Sequence, residues 1–197
     1  MSDVPKSRRK TSKFQTDTNL ADLAVEVQKL SECNFGFSPM KYEREIERYA
    51  HAHRNAPNVD QLVQARRDRL RHFVNIMIPE AQMEINRIVS GAIREFGIAN
   101  SIFPSETAAH DEEYKQRRFH MNEAIGYCYA LEKHLQMIVR VLPLDVNKFD
   151  DLLDMIEAEI AMIKGVRQAG NRFMRKKDGK QNKTGDKAIP PEKAGRS

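Results

Sequence analysis

The chain is 197 residues long, with 40% apolar and 31% charged residues and a formal net charge of +5. This length suits one domain of ordinary size plus tails, and the apolar fraction suffices for a core. No apolar run reaches the roughly 20 residues that a membrane-spanning helix needs, and the first residues lack the apolar region of a signal peptide. We therefore expect a soluble, cytoplasmic protein with no membrane partner.

The residue types favour an all-α fold. Aromatic residues make up 7% of the chain, Trp is absent, and there are nine Met, nine Gly and eight Pro. Several Gly and Pro lie near the ends, which leaves long middle segments free of helix breakers. Cys33 and Cys128 have neither CxxC nor Cys/His spacing, so we expect no disulfide framework and no structural zinc.

The charge is distributed unevenly. Residues 1–14 carry a net charge of +4 and residues 166–197 carry +7, which leaves −6 for the segment between them. An acidic body with two basic ends points to an acidic partner.

The first part of the chain predicts a basic tail and a helical extension. Residues 1–16 have almost nothing to bury and are expected to be disordered. Asp17, Thr18 and Asn19 offer N-caps for a first helix that ends near Cys33. The extension is expected to span residues 17–57.

A second, shorter helix follows in this extension. Ser38 and Pro39 suit the N-cap and the first helical residue, and the helix would end near Arg54. Its apolar face is thin, which suggests a peripheral element.

The third helical segment contains a proline. Asn58 can cap its start, and the apolar pattern continues on both sides of Pro79. Since proline removes one intrahelical hydrogen bond, the helix either kinks there or ends and restarts. Residues 97–107 contain turn residues and predict a connection.

A long apolar stripe identifies the central helix. Its residues recur at steps of three and four over residues 119–142, the spacing of one helix face. This helix would run from about Glu106, with Ser105 as a start signal, and Pro143 would close it. The stripe consists of Met121, Ile125, Cys128, Leu131, Leu135, Ile138 and Leu142.

A second stripe follows after a short connection. Asp145 or Asn147 can cap this last helix, and the short connection predicts an antiparallel pairing with the central helix. We predict an antiparallel, up-and-down four-helix bundle over residues 58–177, followed by a disordered basic tail over residues 178–197. The last stripe comprises Phe149, Leu152, Leu153, Ile156, Ile160 and Ile163.

No motif indicates catalysis. The sequence contains no HExxH, GxxxxGK[ST], GxSxG or GxGxxG, and no histidine has a Glu three positions before it, as a di-iron bundle would require. We expect no enzyme activity, no cofactor and no metal site, although dispersed carboxylates could still converge in a bundle enzyme. The histidines among charged residues are expected at the surface, namely His72, His110, His120 and His134.

A run of arginines in the third helical segment has two interpretations. Lys and Arg at high density attract phosphate backbones through counterion release. Equally, the arginines could pair within the protein, for example with Asp68, Glu80 or Glu84. The candidate nucleic-acid contacts here, chosen from charge alone, are Arg66, Arg67, Arg69 and Arg71.

The region from about Asp68 to Lys177 resembles the accessory variability determinants, the four-helix-bundle accessory proteins of diversity-generating retroelements. The residues that carry the resemblance are the hairpin ALEKHLQMIVRVLPLDVNKFDDLLDMIEAEIAMIKGVRQAGNRFMRKK. It has a central helix, a short Pro-containing turn, a last helix with an Ile-x-x-Glu-Ile-x-x-Ile stripe, and a basic end.

The resemblance implies a non-enzymatic, pentameric homo-oligomer that binds a reverse transcriptase and its template RNA and supports mutagenic cDNA synthesis. RNA, or DNA, is thus the expected nucleic acid. The alternative is a structural or protein-interaction bundle whose basic tails only solubilise it. By the same resemblance, the nucleic-acid contacts on the last helix would be Arg167, Arg172, Arg175, Lys176 and Lys177.

Overall fold

The computed structural model describes the backbone of residues 13–104 and 110–181, and the side chains of residues 16–104 and 111–170. The described part is all-helical, as predicted, and contains no strand. Its α-helices are α1 (Lys13–Glu32), α2 (Pro39–Ala52), α3 (Val59–His72), α4 (Ile78–Ser101), α5 (His110–Val141) and α6 (Asp150–Gln181). Within these ranges, none of the helices combines the length and apolarity needed to cross a membrane.

Four long helices pack around one core. Helix α4 contacts α1 and α5, and α6 contacts the same two helices. Along each interface the contacts advance in opposite directions on the two helices, so neighbours are antiparallel. These contacts are Ser31 with Gln82 and Asp17 with Asn100 for α1–α4, Glu84 with His134 and Glu95 with His120 for α4–α5, and Tyr129 with Lys164 and Asn122 with Arg167 for α5–α6.

The apolar stripes predicted from the sequence form this core. All seven stripe residues of the central helix are buried, and Cys128 is 1% exposed, as expected for a small apolar side chain. Helix α1 also belongs to the core, through Leu20, Leu23 and Val27. The segment assigned to an extension, residues 17–57, thus contains one core helix and one peripheral helix.

Helix α1 begins at Lys13, before the predicted caps at Asp17 to Asn19. It ends in a left-handed turn, in which Asn34, Phe35 and Gly36 have φ values of 51°, 57° and 79°. The side chain of Gln82 holds this turn, because its Nε2 donates to the Ser31 carbonyl at 2.7 Å.

Helices α2 and α3 form an antiparallel hairpin at the periphery. As predicted, Ser38 caps α2, with its Oγ accepting from the Lys41 amide at 3.3 Å. Ile46 is buried in α2 but is not part of the main core. An aromatic cluster joins the hairpin to the body; its rings belong to Phe37, Tyr42 and Phe73, with centroids 5.8 to 6.0 Å apart.

The predicted break at Pro79 is replaced by a wider helical turn. A π-helical turn, Phe73–Met77, joins α3 to α4 without interruption. The Ile78 amide donates to the Phe73 carbonyl, five residues earlier, and Pro79 follows directly. The wider turn accommodates a residue that has no amide hydrogen and whose ring would crowd a regular α-turn.

Two predicted helix boundaries differ from the structure. Helix α4 continues through Gly97 to Ser101, and α6 continues through Gly165 and Gly170 to Gln181. Packing of the preceding turns outweighs a glycine penalty of about 1 kcal/mol each. The predicted start near Ser105, and the tails before residue 13 and after residue 181, lie outside the described residues.

Candidate nucleic-acid interface

Both basic segments leave the helical body at the same end. Helices α1 and α6 are antiparallel, and near this end Asn19 Nδ2 lies 3.3 Å from Met162 Sδ. Helix α6 continues beyond Met162 to Gln181, about 28 Å at 1.5 Å per residue. The segments carrying +4 and +7 are therefore attached to the body at the same end. We call this the basic end, and the opposite end, where α2 and α3 lie, the hairpin end.

Two cations near the basic end are held by neutral groups. Arg167 Nη1 donates to Asn122 Oδ1 at 2.5 Å. Lys164 Nζ donates to the Tyr129 hydroxyl at 2.7 Å and lies 5.2 Å from the centre of its ring. A neutral partner fixes the position of a cation without cancelling its charge.

A third cation of the basic end is Arg117 on α5, which is partly buried. Burial lowers the pKa of its guanidinium below the ordinary value, and Tyr114 opposes this shift. A desolvated cation favours any anion that can approach it. Arg117 was not among the predicted contacts, since its charge in the sequence is balanced by the acidic residues just before it.

The remaining predicted contacts of α6 lie on its final turns. Arg172, Arg175 and Lys176 have the i, i+3 and i+4 spacing of one helix face, and Lys177 follows. Their backbone is helical, whereas their side chains lie outside the described residues. The structure thus places all five predicted α6 cations on one continuous helix that projects from the basic end.

At the hairpin end, two of the predicted arginines contact side chains of α2. The Arg66 guanidinium lies 3.9 Å from the centre of the Tyr49 ring. Arg67 Nε lies 3.6 Å from Glu43 Oε1, and both side chains are about half exposed. These contacts cross the hairpin and hold α3 against α2.

The other two α3 arginines lie on the exposed surface. Arg71 Nη1 is 3.6 Å from Asp68 Oδ1, which confirms the pairing with Asp68 as one of the two interpretations. Glu84 instead accepts from Arg87 at 2.7 Å. Arg69 is exposed. The four arginines of α3 are therefore separated by more than 90 sequence positions, and by the length of the body, from the cations of α6.

The last apolar stripe contains a buried carboxyl group. Glu159 is 1% exposed, and neither carboxyl oxygen has a hydrogen-bond partner in the described part of the chain. Burial, and secondarily the charge of Asp17, raises the pKa of Glu159 to about 8. Burial also raises the pKa of the neighbouring Cys128 thiol to about 12. Two acids, Glu157 and Glu159, lie between Ile156 and Ile160. The sequence signal for the buried group is that Glu159, at i+3 from Ile156, shares the apolar face of the helix.

Two predicted surface histidines take part in the α4–α5 interface. His120 Nδ1 lies 2.7 Å from Glu95 Oε2, and Arg94 also donates to Glu95. The hydrogen bond with His120, followed by that of Arg94, lowers the pKa of Glu95 despite its burial. His134 Nε2 lies 3.9 Å from Glu84 Oε1. The surface prediction for His120 holds only in part: its side chain is 25% exposed, and Glu95, which is 9% exposed, holds the ring at the interface.

Across residues 16–104 and 111–170, no group of three or more His, Cys, Asp or Glu side chains is arranged to hold a metal ion. The cations of the basic end, held in place by their partners, attract anions. Comparisons with protein-family models, with curated proteins and with solved structures find no match for this chain.

Proposed function

We propose that this protein is a non-enzymatic accessory subunit that binds nucleic acid, with RNA as the first candidate and DNA as the second, through its basic end. The observation that carries the proposal is that the two basic segments, with net charges of +4 and +7, are attached to the body at this same end. Antiparallel packing of α1 and α6 causes this arrangement.

Electrostatics gives the proposed complex an orientation. Lys and Arg release counterions from a phosphate backbone, which yields affinity that falls steeply with salt. The segment between the basic ends carries −6 and repels the same backbone. Nucleic acid would therefore approach the basic end in preference to the sides of the body. The α3 arginines would provide a second, weaker contact at the hairpin end.

The packing of the long helices supports the interpretation that the body is an up-and-down four-helix bundle. We assign its members as α1, α4, α5 and α6, in place of the four segments within residues 58–177. Under this assignment the hairpin of α2 and α3 is an insertion between the first two bundle helices.

We further propose that the bound RNA is the template of a diversity-generating retroelement, and that the protein delivers it to the reverse transcriptase for mutagenic cDNA synthesis. The support is the sequence resemblance together with the basic end. Copurification with a reverse transcriptase encoded beside this protein is the expected result. If the reverse transcriptase is lost during purification at moderate salt while RNA is retained, the proposed function is reduced to RNA binding alone.

The resemblance also leads us to propose self-association as a pentamer. Support comes from large apolar side chains of α4 and α5 that are exposed in the single chain: Met83 is 67% exposed and Met137 is 51% exposed. Sedimentation-equilibrium mass measurements should give five chains per particle. A monomer at all concentrations would contradict this part of the proposal.

The nucleic-acid proposal is tested by removing charge from the two ends separately. Replacement of Arg172, Arg175, Lys176 and Lys177 by Ala should weaken RNA binding and flatten its salt dependence. In a filter-binding titration, each lost phosphate contact should reduce the slope of log K against log salt by about 0.7 to 0.9. The matched control removes the same number of charges from α3, by replacement of Arg66, Arg67, Arg69 and Arg71 with Gln, and should have a smaller effect.

Unchanged RNA affinity and salt slope in the α6 variant would overturn the proposal and favour a structural or protein-interaction helical protein. A purified wild-type protein that carries no nucleic acid after mild-salt isolation, judged by the absorbance ratio at 260 and 280 nm, would point the same way.

A further inference from the structure

Helix α5 has an open glycine on the face that meets the cations of α6. Gly126 lies between Asn122 and Tyr129, at i+4 and i−3 respectively, so the three residues share a side of the helix. A Cβ atom built on Gly126 has no heavy atom within 4 Å. The surface there is bare backbone.

This glycine has no packing explanation. At Gly91 on α4, by contrast, a Cβ would lie 2.6 Å from the Tyr127 ring, so the absence of a side chain is required by packing. A glycine in a helix interior costs about 1 kcal/mol relative to Ala. At Gly126 that cost is not offset by a close neighbour.

Two cations flank the open position from α6. Lys164 reaches the Tyr129 hydroxyl and Arg167 reaches the Asn122 side chain. Lys164 and Arg167 are about 4.5 Å apart along α6, whereas their partners are about 10 Å apart along α5. The two cationic side chains therefore diverge, and Gly126 lies between their points of attachment. We call the surface formed by these five residues the Gly126 notch.

The charges of the notch are not neutralised by its own members. Its other polar members, Tyr129 and Asn122, contribute a phenol and an amide rather than a carboxylate. Glu132, about one turn further along α5, accepts from Lys133 at 3.3 Å and from Gln136 at 2.8 Å. Two fixed cations beside an exposed backbone surface match a compact tetrahedral anion.

We propose that the Gly126 notch binds a phosphate group of the nucleic-acid backbone, which would fix where the strand passes from the projecting end of α6 onto the body. This inference rests on the proposed function, since it names a phosphodiester as the ligand. The absence of a side chain at residue 126 leaves the surface between Lys164 and Arg167 open to the anion.

The test places a carboxylate in the notch. Gly126→Glu adds an internal anion beside Lys164 and Arg167, whereas Gly126→Gln adds a side chain of the same size without charge. Both should fold, because the position is open and both residues are better helix formers than Gly. Circular dichroism and thermal unfolding check this.

Two probes are used with the full chain. Inorganic phosphate should shift the NMR signals of the Gly126 amide and of the Arg167 guanidinium in the wild type, and should leave the corresponding signals of Gly126→Glu unshifted. The second probe is a short single-stranded oligouridine. Gly126→Glu should reduce the slope of log K against log salt by about 0.7, the value for one phosphate contact. Gly126→Gln should reduce this slope by no more than half of that amount.

The outcomes separate this inference from the proposed function. Equal salt slopes for Gly126→Glu and Gly126→Gln, while the α6 charge variant still loses affinity, would overturn the notch and leave the function intact. Equal phosphate-induced shifts in the wild type and in Gly126→Glu would also overturn it. RNA binding that does not depend on the α6 cations would overturn the proposed function itself.

Discussion

The basic end and the hairpin end both carry several arginines, but the neighbours of those arginines differ. At the hairpin end, Arg67 and Arg71 lie 3.6 Å from carboxylates. At the basic end, Arg167 and Lys164 donate to an amide oxygen and to a phenol. An exposed ion pair contributes little stability, yet it shortens the reach of its cation's field. Lys164 and Arg167 therefore retain more of their positive potential than Arg67 and Arg71.

Arginine density in a sequence therefore does not by itself predict an anion-binding surface. The partner that packing places beside each cation decides how much charge remains available. The four arginines of α3 form the densest run in the chain, but α2 supplies Glu43 and Tyr49 as partners from a neighbouring helix.

Replacement of Ile46 should have the largest effect on stability, and it tests whether the hairpin end is packed separately from the body. Ile46 is 1% exposed and lies outside the main core. Replacing Ile46 with Ala should destabilise the hairpin by about 2 to 4 kcal/mol. Hydrogen exchange should then accelerate within residues 39–72 and stay slow within residues 85–99.

The matched control for this experiment is Ile85→Ala, in the main core, which should accelerate exchange throughout the body. If Ile46→Ala also accelerates exchange in α4 and α5, the hairpin is part of the cooperative unit and the two ends are not independent.

The second prediction concerns the buried carboxyl group of Glu159. Folding raises its pKa from 4.5 to about 8, so the folded state favours the protonated form. The contribution of Glu159 to the free energy of unfolding is therefore complete below about pH 4.5 and is lost as the pH rises toward 8. At pH 7 the penalty is on the order of 2–3 kcal/mol. Glu159→Gln should therefore be more stable than the wild type at pH 7 and similar to it at pH 4.5.

Urea unfolding at several pH values measures this difference. The control is Glu157→Gln on the exposed side of α6, which should leave the pH dependence unchanged. A wild-type stability that rises between pH 5 and 8, once the Glu157 control is subtracted, would contradict a buried proton on Glu159.

A smaller effect tests the contact that connects the two ends along α4 and α5. Gly91→Ala should destabilise the protein by about 1–2 kcal/mol, because the new Cβ would lie 2.6 Å from the Tyr127 ring. Gly97→Ala is the control: nothing lies within 4 Å of its Cβ, so it should stabilise α4 by about 0.5–1 kcal/mol. Thermal unfolding of both variants gives the comparison, and equal stabilisation would show that Tyr127 moves away freely.

The smallest effect concerns the ring contact of Arg66. Arg66→Gln should destabilise the hairpin by about 0.5 kcal/mol, as expected for an exposed cation over an aromatic ring. A double-mutant cycle with Tyr49→Leu, followed by hydrogen exchange in α2, isolates the pair. A coupling energy of zero would mean that Tyr49 does not hold Arg66. The difference in arginine partners between the hairpin end and the basic end would then be smaller.

Much of the fold follows from short-range patterns in the sequence. The stripe from Met121 to Leu142 predicts one face of α5, and Ser38 before Pro39 predicts the start of α2, because spacing and capping act within a few residues. The antiparallel arrangement of α5 and α6 follows from their short connection. These features depend on neighbours in the chain.

The features that sequence reasoning missed depend on distant residues. The sequence pattern places α1 in an extension, because its packing against α4 and α6 joins segments that are more than 45 residues apart in the chain. The partners of Arg66 and Arg67 come from α2, and the neutral partners of Lys164 and Arg167 come from α5. Spacing along one helix carries no information about these contacts.

The π-helical turn between α3 and α4 also controls the direction in which the hairpin end faces. It contains one residue more than an α-turn, and each residue in a helix corresponds to a rotation of about 100°. Deleting one residue within Phe73–Met77 would restore a regular α-turn and rotate all of α3 by that angle about the axis of α4. The hairpin would then face a different direction relative to the body, so the length of this one turn determines which surface the hairpin presents.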